Sequence, residues 1–125
     1  RTPAFVAAER GQTAALELLV KAPGCDVNQA TKLGATPAYI AAQEGQTAAL
    51  ELLVKPPGCD VNQAMLDGRT PTYVAAQKGQ VAVLEILVEA GCDVNQAKKD
   101  GATPAYVAAH NGHTAVLELL VKAPG

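Results

Sequence analysis

One pattern, Thr-Pro-Ala-(Tyr/Phe)-(Val/Ile)-Ala-Ala-x-x-Gly, occurs four times in this chain with minor variation. Thr2-Pro3, Thr36-Pro37, Thr70-Pro71 and Thr103-Pro104 begin the copies, at intervals of 34, 34 and 33 residues. Gly11, Gly45, Gly79 and Gly112 keep the same spacing. So do the blocks Cys25-Asp26-Val27-Asn28, Cys59-Asp60-Val61-Asn62 and Cys92-Asp93-Val94-Asn95. A fixed period of this size marks a solenoid, one small unit stacked on itself. The 125 residues hold about four units, and roughly three are enough to bury a continuous core.

The local chemistry of one unit, residues 31–64, predicts its elements. Thr36 suits a helix N-cap, and Pro37 suits the first helical position, where its missing N–H costs nothing. The first helix is expected over Pro37–Glu44, ended by Gly45 in the left-handed conformation. The second is expected over Thr47–Lys55, with Leu50, Leu53 and Val54 at core-facing spacing. Ala49 and Leu52 widen that stripe, as in a helix held between neighbours. Glu51 and Lys55 are placed for an i,i+4 pair, repeated as Glu17–Lys21 and Glu118–Lys122. Pro56-Pro57-Gly58 forbids further helix. Asp60 and Asn62 then suit a turning backbone anchored by Val61, leading into an extended hairpin that ends at Gly68. Aromatics make up 3% of the chain and Trp is absent, so Ala, Leu, Val and Ile must build the core.

Several classes of chemistry lack support. The net charge of −2 does not steer the chain to nucleic acid or an anionic membrane. No apolar run approaches the ~20 residues of a membrane span. The three cysteines occupy equivalent positions in adjacent units. Such positions lie about one helix-packing distance apart, roughly 8–10 Å. A disulfide requires Cα atoms within about 7 Å. Free, buried thiols are therefore expected, favouring a reducing, intracellular and cytoplasmic setting. They have no C-x-x-C spacing or adjacent His for redox or metal chemistry. His110-Asn111-Gly112-His113 has the look of a metal site but no third ligand. Phosphate-cradling glycine motifs are absent. No enzyme activity, metal or cofactor is expected. The chain begins at Arg1 rather than Met, and is read as part of a larger protein.

These residues resemble the ankyrin repeat. The likeness is clearest in Gly34-Ala35-Thr36-Pro37, Ala41-Ala42, Gly45, Leu52-Leu53-Val54 and Gly58-Cys59-Asp60-Val61-Asn62, and it covers essentially the whole chain. It implies an all-α dominated solenoid of helix-turn-helix units joined by β-hairpin loops, one domain over residues 1–125. Its repeats would fall at about 1–30, 31–64, 65–97 and 98–125. Three departures stand out. The family's Leu-His after Thr-Pro is Ala38-Tyr39, Thr72-Tyr73, Ala105-Tyr106 and Ala4-Phe5 here. Its Ala before Asp-Val-Asn is Cys, and a Pro-Gly insertion lengthens the exit turn. Segments 34–58 and 101–125 agree at 19 of 25 positions, as expected of recent duplication.

The resemblance further implies non-enzymatic protein–protein binding through the hairpin tips and the concave face of the first helices. Its target-facing positions fall on Glu9 and Arg10, then Lys32, Leu33, Ala35, Gln43 and Glu44. In the third repeat they are Met65, Leu66, Asp67, Arg69, Gln77 and Lys78. In the fourth they are Lys98, Lys99, Asp100, Ala102, His110 and Asn111. This set is slightly basic on an acidic chain, favouring an acidic or mixed partner; the alternative is drift at variable surface positions. Apolar side chains at tips bury little, so Leu33, Met65, Leu66 and Arg69 are expected to form the central patch, aided by Gln77 and Lys78. Terminal repeats normally carry polar outer faces. Here both ends keep interior-type sequences, so either further repeats flank this piece or, as the alternative function, it is a structural array that self-associates end to end.

Overall fold

The computed structural model describes residues 2–24, 26–56 and 58–123. Among these, the regular elements are eight short helices: α1 (Pro3–Arg10), α2 (Thr13–Lys21), α3 (Pro37–Glu44), α4 (Thr47–Val54), α5 (Pro71–Lys78), α6 (Val81–Glu89), α7 (Pro104–His110) and α8 (Thr114–Lys122). The odd-numbered helices pack in sequence as one layer, α1 on α3 on α5 on α7. The even-numbered helices form the second layer, and each helix pair packs internally. This is the expected solenoid.

The caps explain where the first helices begin and end. Thr2, Thr36, Thr70 and Thr103 each accept a hydrogen bond from the backbone N–H three residues on, at 3.0–3.1 Å, with Pro following. Gly45 ends α3 at φ 68°, and its N–H returns to the α3 carbonyls. A side chain there would strain the backbone. The helix α3 has the expected bounds, and α4 stops one residue earlier than expected, at Val54.

The second helices begin without side-chain caps at Gln12, Gln46, Gln80 and His113. Two of these side chains serve the preceding helix pair instead. Gln46 Nε2 donates to the Glu9 carbonyl at 3.2 Å, and His113 Nε2 lies 3.0 Å from the Gln77 carbonyl. A carbonyl only accepts, so the His113 proton sits on Nε2. Asn111 Nδ2 donates to the same carbonyl at 3.1 Å. Free carbonyls at the ends of first helices are thus satisfied by the next unit.

Alanine makes the close stacking possible. Ala8, Ala41, Ala42, Ala75, Ala76 and Ala108 are wholly buried in the first-helix layer. Leu16, Leu50, Leu53, Leu84 and Leu87 fill the space between layers. Val27, Val61 and Val94 are buried beneath turns closed by Asp26, Asp60 and Asp93, whose carboxylates accept from Asn28, Asn62 and Asn95 N–H. The same asparagines tie units together. Asn28 Oδ1 accepts from Asp60 N–H at 2.8 Å, and Asn62 Oδ1 from Asp93 N–H at 2.7 Å.

Two local expectations differ from the structure. No strand forms among the described residues. Each tip is a tight turn closed by a pair of bonds, as where Met65 N–H donates to the Arg69 carbonyl and Gly68 N–H to the Met65 carbonyl, both at 2.8 Å. Other loop donors go to the Asp turns and to neighbouring units, as Asn62 N–H does to Asp60 and Asp93 N–H to Asn62. Of the three i,i+4 pairs, only Glu17–Lys21 closes, at 3.5 Å. Lys55 lies beyond the end of α4, and exposed pairs of this kind contribute about 0–1 kcal/mol at most. Cys59 is half-buried and Cys92 buried, both as free thiols; Cys25 lies outside the described residues. Burial and the neighbouring Asp60 push the Cys59 thiol up to about 11.

Candidate functional site

The tips stand at one edge of the stack. Leu66 N–H donates to the Leu33 carbonyl, and Lys99 N–H to the Asp67 carbonyl, both at 2.9 Å. The turns therefore touch backbone to backbone. Gly34 and Gly68 permit it, since a Cβ on Gly34 would come within 2.9 Å of the Leu66 nitrogen. One on Gly68 would come within 2.7 Å of the Lys99 nitrogen. This spacing brings Leu33 and Leu66 side by side, 66% and 61% exposed. A groove of about 440 Å³ opens beside Leu33, lined by Phe5, Thr31, Lys32, Leu33, Ala35 and Met65.

Charge on this face is divided. Arg69 Nε donates to Asp67 Oδ2 at 2.7 Å, and Lys98 Nζ pairs with Asp100 Oδ2 at 2.9 Å. Desolvation works to raise the Asp67 carboxyl, but the bonds and charge from Arg69, helped by Lys98, outweigh it and hold the carboxyl below its ordinary value. The bond to Asp100 holds the Lys98 ammonium above its ordinary value. Lys32, Lys78 and Lys99 form no ion pair among the described residues. Glu44 accepts from the neighbouring Gln43 amide at 3.2 Å. The free charge on the face is mainly cationic.

The expected patch separates into two kinds of residue. Lys32, Leu33, Leu66, Lys78 and Lys99 are exposed and free, and Glu44 is exposed as well. Gln43 and Gln77 are half-buried along the first helices. His110 is exposed and stacks on Tyr106, ring centroids 6.2 Å apart. By contrast, Met65 is half-buried against the core. Arg69 spans Asp67 and the ring of Tyr39, 5.9 Å from its centroid. Asp100 is tied to Lys98, and Asn111 to the Gln77 carbonyl. Met65 and Arg69 are half-buried, whereas Asp100 and Asn111 stay exposed beside their partners.

Sequence reasoning missed the cation–tyrosine contacts. Arg69 covers Tyr39, and Lys98 covers Tyr73 at the same 5.9 Å. The two cations occupy different positions in their repeats, one on each limb of the tip turn. Because the limbs are hydrogen-bonded together, either reaches the tyrosine behind. No fixed spacing announces such a contact, whereas alternation of a basic residue between paired limb positions would have done so.

The family model for ankyrin repeats (3 copies) matches residues 1–65 and again residues 57–125. The chain belongs to the ankyrin-repeat family. No curated protein matches this ankyrin-repeat chain. Ankyrin repeats are in general non-enzymatic protein-interaction modules. Among the described residues no group of His, Cys, Asp and Glu is arranged to hold a metal ion. No described helix is long and apolar enough to cross a membrane.

Proposed function

We propose that residues 1–125 act as one four-repeat binding domain, divided near residues 30, 64 and 97, that takes a protein segment across the tips and the first-helix face. The observation that carries this reading is the pair Leu33 and Leu66, held side by side and exposed by the bond between their own backbones. Apolar residues packed in this way at a rim gain by burying against a partner. Lys32 and Lys99 at the tips and Lys78 at the end of α5 are uncompensated, whereas Asp67 and Asp100 are neutralised from within. The face therefore favours a segment with an apolar anchor and acidic flanks. The scaffold is already ordered, so binding costs little further ordering of this partner. The reduced thiols of Cys59 and Cys92 support an intracellular, cytoplasmic setting.

The test is a comparison of partners retained by the wild-type chain and by a Leu33→Ala/Leu66→Ala double variant. The affinity of any partner using this face is expected to fall at least tenfold, about 1.4 kcal/mol. Unchanged affinity across all retained partners would sink the reading. Arg69 is a poorer probe, because its loss also uncovers Tyr39.

The alternative reading is self-association through the ends, in which Tyr106, 62% exposed against 2% and 4% for Tyr39 and Tyr73, would take part.

A further inference from the structure

The second helices carry a ladder of charge that the tip face does not use. Glu17, Glu51, Glu85 and Glu118 are equivalent, and the residue four further on is Lys21, Lys55, Glu89 and Lys122. Only the third repeat breaks the Glu–Lys order. Glu89 stands in the last turn of α6, one turn beyond Glu85. A carboxylate is unfavourable at a helix C-terminus, and like charges at i,i+4 repel. The energetics of α6 alone therefore do not account for Glu89.

Two grooves of nearly equal size run along the outer side of this layer. One, about 440 Å³, lies between α2 and α4, and the other, about 420 Å³, between α4 and α6. Each opens between two helices packed together inside the stack, so neither owes its existence to an end of the chain. Their linings match position for position. Val20 and Leu52 line the first and Val54 and Ile86 the second, all half-buried. Their charge differs. In the first, Glu17 is held by Lys21 at 3.5 Å, and Lys55 leaves the groove cationic. In the second, Glu51 and Glu89 outnumber Lys55, and neither carboxylate has an ion-pair partner among the described residues.

We propose that the groove between α4 and α6 binds an arginine of a protein partner, set between apolar neighbours. Its aliphatic stem lies along Val54 and Ile86, and its guanidinium between Glu51 and Glu89. A long cationic side chain has this division into apolar methylenes and charged head. Arginine suits the groove better than lysine, because its planar head offers several donors to two carboxylates and is more weakly hydrated. The groove between α2 and α4, apolar in the same way but opposite in charge, rejects it. This surface is the chemical reverse of the tips, which offer lysines to acidic flanks. It also sits on the other helix layer, so the two surfaces stand or fall separately.

The probe is the blocked peptide acetyl-Ala-Leu-Arg-Leu-Ala-amide, with acetyl-Ala-Leu-Glu-Leu-Ala-amide as its charge-reversed control. Each is titrated into the isotope-labelled 125-residue chain and followed by amide chemical shifts. The Arg peptide is expected to move Glu51, Val54, Ile86 and Glu89 while leaving Glu17 and Val20 in place. The Glu peptide is expected to move neither set. Glu89→Lys restores the residue type of the other three repeats, so it is expected to fold, and circular dichroism checks this. It removes an anion and adds a cation, so affinity for the Arg peptide is expected to fall about tenfold. Glu51→Gln keeps a good helix former and is expected to weaken binding by less. An Arg peptide that shifts nothing, that moves both grooves alike, or that binds both variants as tightly as wild type overturns the proposal. So does a Glu peptide that binds equally well. Shifts of the same four amides on concentrating the chain without peptide give the groove to a second copy and overturn it too.

Discussion

Tyr39 and Tyr106 follow the same residues, Gly-Ala-Thr-Pro-Ala, yet one is buried and the other mostly in water. Their helices begin with the same threonine cap and pack on the same kind of second helix. The difference comes from the neighbour: α5 and the Arg69 tip lie against Tyr39, and no described residue occupies that place beside Tyr106. In a solenoid, burial belongs to a position in the stack rather than to a sequence motif. Identical residues should therefore differ in energetic weight according to which repeat holds them.

The largest expected expression of that difference lies between Leu50 and Leu117, equivalent residues of α4 and α8. Leu50 is wholly buried and Leu117 only partly. Leu50→Ala is expected to destabilise by about 2–5 kcal/mol, and Leu117→Ala by under ~2 kcal/mol. Urea denaturation measures both, and equal costs would break the comparison. A smaller effect concerns the tyrosine hydroxyls. Tyr39 Oη is buried with no hydrogen-bond partner among the described residues, and burial raises its pKa despite the opposing charge of Arg69. Tyr39→Phe removes an unsatisfied polar group, so it is expected to be neutral or to stabilise by up to ~1 kcal/mol. Tyr106→Phe should leave thermal unfolding unmoved. A clear loss of stability on Tyr39→Phe would mean that its hydroxyl is satisfied.

The smallest effect is on pH dependence at the tips. Asp67 is held below its ordinary value, mainly through Arg69 once desolvation is overcome. A carboxyl depressed in the folded state contributes stability above its unfolded value, ~3.9, and loses it as pH falls through the folded value. Asp67→Asn should therefore lower the unfolding midpoint slightly at pH 7, with the gap from wild type closing below about pH 4. A gap that persists at low pH would assign the effect to shape rather than charge.

Much of this architecture is legible in the chain. The Thr-Pro pair and the following glycine delimit α3 because cap and stop are local chemistry, complete within ten residues. The buried valines of the Asp-Val-Asn turns are legible for the same reason. The tips are harder. Extended chain was expected before Gly68, but loop donors reach to other repeats, and sequence adjacency does not reveal that choice. Met65 and Arg69 are expected in the contact patch, and the structure leaves both half-buried, a placement that neither apolar character at a turn nor variation between repeats discloses. Leu33 and Leu66 were legible as candidates because apolar residues at a turn have little of their own fold to cover them.

The backbone bonds that join successive tips have a mechanical meaning. Leu33 to Leu66 and Asp67 to Lys99 form one rail, and Asn28 to Asp60 and Asn62 to Asp93 form another. Tension applied along the stack loads these joints in series. Each of these joints is a hydrogen bond of 2.7–2.9 Å, so a pull along the stack would be carried by many similar weak links rather than by one strong one.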